Sequence, residues 1–151
     1  MPAFVTFGRI LFAVLFLYSG VTKLFAIPAT AEFIAAKVAI PALLLPYTAQ
    51  LEGITGMATP QMLAIAVGSF EVIAGLMIAF NIAARFFAIL LIIFVAAATF
   101  YFHDFWNQSP PENAKSLVDA LKNLSIIGAL FIIAGVGRRA RTAVDSAYGD
   151  V

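Results

Sequence analysis

The sequence predicts an all-α integral membrane protein, a four-helix bundle with both termini in the cytoplasm, and three observations predict it. First, 63% of the 151 residues are hydrophobic and only 11% are charged. Soluble domains carry about a quarter charged residues, so this chain could not cover a water-facing surface. The mean hydropathy of +1.02 agrees. Second, four stretches are apolar on every side and long enough to cross hydrocarbon, where an unpaired amide finds no water and helices are the economical solution. Strands of a barrel would alternate apolar and polar residues instead. Third, arginines and lysines fall on opposite sides of those stretches.

Taken in order, the first span covers residues 7–24. Its uncharged part, Ile10–Thr22, is short, but Arg9 and Lys23 flank it and their stems can snorkel to the interfaces. Ala29-Thr30-Ala31 imitates a signal-peptide cleavage site, yet Lys23 interrupts the approach to it, and cleavage is not expected. The second span, residues 61–80, contains one charge, Glu71. The third, residues 86–102, contains none. The fourth covers residues 121–136 and is uncharged from Asn123 onward. The whole chain, residues 1–151, is therefore expected to be one transmembrane domain.

Four spans put both termini and the second connection on one side, with Arg9, Arg85, Arg138, Arg139 and Arg141. The other side receives Lys23, Lys37, Lys115 and Lys122 with Glu32, Glu52, Asp104, Glu112 and Asp119. The compact run Arg138-Arg139-x-Arg141 after the last span assigns the first side to the cytoplasm by the positive-inside rule. The outer connection 26–60 is long. Its Ala29–Val38 part can form a short interfacial helix stopped by Pro41, and Leu43-Leu44-Leu45-Pro46-Tyr47 can lie against the membrane face. The inner turn Asn81–Arg85 makes the second and third spans a hairpin. The outer connection 103–119 contains Pro110-Pro111 and sets Trp106 at headgroup level. The tail, 138–151, is cytoplasmic.

Composition also excludes chemistries. Cysteine is absent, which removes disulfides, thiol catalysis and cysteine-ligated clusters. One histidine removes bis-histidine haem ligation, and no metal site is expected. A net charge of +1 is far from the basic footprint of a nucleic-acid binder. No Gly-rich nucleotide loop or EF-hand spacing occurs.

The remaining polar residues inside or beside the spans are the site candidates. Glu71 lies mid-span, where a lone carboxylate is costly. Ala64, Gly68, Glu71, Gly75 and Ala79 share one helical face, so small residues beside Glu71 let another helix approach and shelter it. It is either a proton-exchanging or ligand-orienting carboxylate, or a structural partner of Arg9, Lys23 or Lys122. Arg9, Phe16, Gly20 and Lys23 share a face of the first span. Arg9 and Lys23 are about 21 Å apart along it, too far to reach the same carboxylate. Lys23 either helps bind something anionic in the outer half or anchors to headgroups. At the outer mouth gather His103, Asp104, Trp106, Asn107, Lys122 and Asn123. A quinone headgroup needs donors at its carbonyls and a flat aromatic wall; His103 or Lys122 with Trp106 or Tyr101 would provide both. The competing reading is an interfacial cap that merely finishes two helices.

From Gly8-Arg9, Tyr18-Ser19-Gly20-x-x-Lys23-Leu24, Phe70-Glu71 with Gly75-Leu76, Arg85, Phe102-His103-Asp104-Phe105-Trp106 and Lys122-Asn123-Leu124, the chain resembles the DoxX family of small four-span membrane proteins, over about residues 8–137. The resemblance implies a membrane subunit of a redox assembly in the bacterial inner membrane: a thiosulfate:quinone oxidoreductase subunit, or a neighbour of enzymes that detoxify thiols, superoxide or quinones. It carries over no catalytic residue set.

Three functions compete. In the first, the chain binds a quinone and serves a redox enzyme partner, bringing no cofactor of its own and not catalysing alone. In the second it is a small proton-linked carrier or permease subunit with Glu71 as the acid. In the third it is a non-catalytic scaffold that holds a soluble enzyme through Arg138, Arg139 and Arg141. The lipid bilayer is the partner in all three, and a homo-oligomer is compatible with each.

Overall fold

Long runs of Ala, Leu, Ile and Phe between Gly and Pro punctuation leave the backbone one way to satisfy its amides, and the chain is helical nearly throughout. The computed structural model describes residues 3–148, with side chains to residue 136. In order it holds α1 (Ala3–Phe25), α2 (Ile27–Lys37), a 3-10 turn (Ala42–Leu44), α3 (Leu45–Thr55), α4 (Thr59–Ala79), α5 (Ala84–Phe102), a second 3-10 turn (Phe105–Asn107) and α6 (Glu112–Tyr148). No strand occurs among the described residues. Four segments are long and apolar enough to cross a membrane: Ala3–Phe25, Thr59–Ala79, Ala84–Asn107 and Glu112–Val136.

Boundaries follow local chemistry. Pro28 stands in the first turn of α2 and Pro46 in that of α3, positions that need no amide donor. Gly56 ends α3 in the left-handed region, φ +68°, and its N–H closes on the Glu52 carbonyl at 2.8 Å. Asn81 and Ala83 also take positive φ in the turn between α4 and α5; for Ala83 this is a strained way to start a helix. The short helix expected at Ala29–Val38 is found as α2, which begins two residues earlier because Pro28 starts it. The stretch after Pro41 was expected only to lie on the membrane face. It forms α3, with no buried residue.

The chain divides into two compact units, Val14–Gly75 and the residues on either side of it. Within Val14–Gly75, α1 and α4 meet at glycines. A Cβ on Gly20 would stand 2.6 Å from the Gly68 carbonyl oxygen and 2.9 Å from the Val72 nitrogen. One on Gly68 would stand 2.9 Å from Leu24 Cγ. Any larger residue there pushes the helices apart, as in the small-residue contacts of membrane helices. Ala64, Gly68, Glu71 and Gly75 of α4 are buried, as their shared face predicts, and Ala79 is half-buried.

In the other unit α5 packs along α6. Ala84, Ala88, Leu91 and Val95 form the buried stripe of α5, at spacings of four and three. Ser116, Ala120 and Leu130 are the buried positions of α6. Next to the sealed Leu130, Phe131 and Ile132 are 62% and 69% exposed. Side chains this apolar and this exposed require lipid rather than water around them.

Candidate functional site

Three constellations carry the polar side chains of the spans. The first lies within Val14–Gly75. Glu71 sits on the buried face of α4 with its side chain 5% exposed. Lys23 Nζ donates to Glu71 Oε2 at 2.8 Å and to Ser19 Oγ at 2.5 Å. Ser19 is one turn before Lys23, so the lysine stem folds back along α1 instead of running outward to headgroups. The glycine contact sets this geometry. Gly20 and Gly68 each lie three residues before a member of the pair, and their close approach brings Nζ within reach of the carboxylate. Of the three partners considered for Glu71, the structure selects Lys23.

The second constellation belongs to α5 and α6. Asn123 donates from Nδ2 to Thr99 Oγ1 at 3.0 Å, and Thr99 in turn donates to the Val95 carbonyl at 2.7 Å. Thr99 of this pair lines an open groove of about 360 Å³, together with Ala96, Phe105, Ala120, Leu121 and Leu124, among others. His103 caps α5 one turn beyond Thr99, its N–H bonded to the Thr99 carbonyl at 2.9 Å. Its imidazole lies within electrostatic reach of Asp119. Trp106 is half exposed and packs on Phe105 and Phe100, with ring centroids 5.0 and 5.7 Å apart. Asp104 accepts a hydrogen bond from Gln108 Nε2 at 2.8 Å. Lys122 turns to Asp119 at 2.9 Å, with 68% of its side chain exposed. His103, Asn123, Asp104 and Trp106 therefore belong to one region, whereas Lys122 faces outward.

The third is Arg9 alone. It is 8% exposed, and its Nε and Nη1 are buried without a hydrogen-bond partner. Among the described residues, no group of three or more metal-ligating side chains gathers. The arginines at 138, 139 and 141 lie outside the described side chains.

Sequence reading missed three participants. Ser19 could have been found from its i−4 spacing to Lys23. Thr99 could have been found from its place one turn before His103. Nothing local announced Glu52, whose Oε1 accepts from the Thr59 backbone N–H at 2.7 Å and from its hydroxyl at 2.6 Å. That double bond caps α4 from seven residues upstream. It also holds the Glu52 carboxyl below its ordinary value of 4.5, chiefly through the Thr59 hydroxyl and then the amide, against slight desolvation.

With this geometry in hand, comparison with known proteins adds one relation. The DoxX family model matches residues 4–104, about two thirds of the chain and inclusive of α1 through α5. No curated protein and no solved structure matches significantly.

Proposed function

This chain belongs to the DoxX family, and from that premise we propose that it is the membrane subunit of a redox assembly, with the α5–α6 groove as its quinone site. The observation that carries the reading is the groove itself. It is apolar along its length, as an isoprenoid tail requires; Thr99 lines it, Asn123 is bonded to Thr99, and His103 follows one turn further along α5. The Asn123 carboxamide carries a second N–H and an oxygen besides its bond to Thr99, the Phe105 ring forms a wall, and His103 stands at the end of α5. A quinone bound there would supply the two-electron chemistry that no residue of this chain can. The residues of the chain would hold the headgroup and handle its protons, and a partner enzyme would supply or accept the electrons.

The test is binding of menaquinone and ubiquinone to the purified protein, followed by absorbance and by quenching of Trp106. Binding in the micromolar range, weakened about tenfold by H103A, is expected. If neither quinone binds and an E71Q/H103A double variant keeps full oxidant resistance in cells, the reading fails.

The Lys23–Ser19–Glu71 cluster favours a second reading, a proton-linked carrier subunit, because a carboxylate buried in a span is a common proton relay. Its signature would be flux in proteoliposomes driven by a pH gradient and abolished by E71Q. In either case the chain would reside in a bacterial inner membrane with both termini in the cytoplasm. Since it has no native cysteine, single cysteines test this directly: one at Glu32 should label from outside, one at Ile82 only after permeabilisation.

A further inference from the structure

We propose that Arg9 is the receptor for an oxyanion of the phosphate class, at a site separate from the groove and independent of the redox reading. An arginine keeps its charge in proteins and presents five donors in a rigid fork. Here two nitrogens of that fork are sealed from solvent with no acceptor. A buried cation in that condition is costly unless an anion meets it.

Four of the described carboxylates have partners of their own. Glu71 is held by Lys23, Asp119 by Lys122, Glu52 by Thr59, and Asp104 accepts from Gln108. Arg9 has no acceptor at Nε or Nη1, and an external anion would supply one. The surroundings suit one. Gly8, the residue before it, has open space where its Cβ would stand. Thr6, half-buried and three residues earlier on the same face, offers a hydroxyl. The compact unit that contains Arg9 also contains Arg85 and the first turn of α5, whose N-cap, Ala83, supplies no side-chain bond. Arg9 lies about 9 Å along α1 from Ala3, within the first turns of that helix. Guanidinium binds phosphate through two parallel hydrogen bonds, which a lysine cannot copy.

The anion can be a lipid headgroup or a free phosphate, and one experiment separates them. Delipidated protein in neutral detergent is melted, with Trp106 fluorescence as readout. Additions are phosphatidylglycerol, inorganic phosphate, or chloride at matched ionic strength. Wild type should gain about 5 °C with a saturating oxyanion and nothing with chloride. R9Q should lose the gain and R9K should lose most of it. Response to phosphatidylglycerol alone assigns a lipid site; response to inorganic phosphate assigns a site for a soluble anion. Should R9Q fail to fold, R9K, which keeps the charge but not the fork, carries the comparison. A wild type indifferent to both anions overturns the proposal, as does a gain that R9K keeps in full.

Discussion

Lys23–Glu71 and Lys122–Asp119 are both lysine–carboxylate pairs, at 2.8 and 2.9 Å. By distance they are equivalent; by surroundings they are not. The first pair joins residues 48 apart in sequence, and its carboxylate is 5% exposed. The second joins neighbours on one helix turn, with 68% and 32% exposure. Water and salt screen the second pair, so its formation decides little. In the first, the attraction of Lys23 offsets the desolvation that burial imposes on Glu71. Burial, not proximity, separates a contact that specifies the fold from one that decorates it.

The comparison can be broken at its strongest point first. Lys23→Ala removes the cation and leaves Glu71 buried and uncompensated, so a loss of about 3–5 kcal/mol is expected by thermal or denaturant unfolding in micelles. Glu71→Gln should cost less, because the lysine left behind is 29% exposed and can turn toward polar surroundings. Equal losses for the two would contradict the assignment of burial to the carboxylate side. Next comes the scaffold of the pair. Gly20→Ala places a methyl against the Gly68 carbonyl, and about 1–3 kcal/mol is the expected overpacking cost. A double-mutant cycle with Lys23→Ala should show strong non-additivity, since separated helices no longer hold the pair. Smaller still, Asn123→Ala removes one hydrogen bond to Thr99, about 1 kcal/mol. Lys122→Ala should leave the melting temperature unchanged within error; a loss matching that of Lys23→Ala would show that exposure is the wrong discriminator.

The mildest prediction concerns pH. The Glu52 carboxyl has its folded value lowered by the bonds from Thr59. Its contribution to stability is therefore present above the ordinary carboxylate value and is lost as pH falls through the lower folded one. Hydrogen exchange at the Thr59 amide should accelerate as pH falls below the ordinary carboxylate range, after correction for intrinsic rates. Glu52→Gln should remove that pH dependence.

Much of this was legible in the sequence because oil simplifies the problem. With no water to compete for amides, a run such as Phe86–Phe102 has one outcome, and α5 (Ala84–Phe102) overlaps it almost completely. The buried face of α4 could also be read, since Gly68, Glu71 and Gly75 share it at helical spacing. The partner of Glu71 could not. Arg9, Lys23 and Lys122 were equivalent cations on paper, and only the approach of Gly20 to Gly68 distinguishes Lys23. α3 escaped notice for the opposite reason: it buries no residue, so no periodic apolar face announced it. The early start of α6 at Glu112 escaped likewise, because its first turns are polar and only continue a helix that the apolar part nucleates. The Asn123–Thr99 bond joins two helices whose relative register no local pattern encodes.

One consequence of α6 concerns length. Its 37 residues make a rod of about 55 Å, whereas a bilayer with its headgroups measures about 40–45 Å. An upright rod must emerge by at least two turns, and a tilt large enough to hide it would drag its charged flanks across the headgroups. Whichever leaflet it leaves, it leaves as helix and not as loose chain, its backbone hydrogen bonds unbroken past the headgroups.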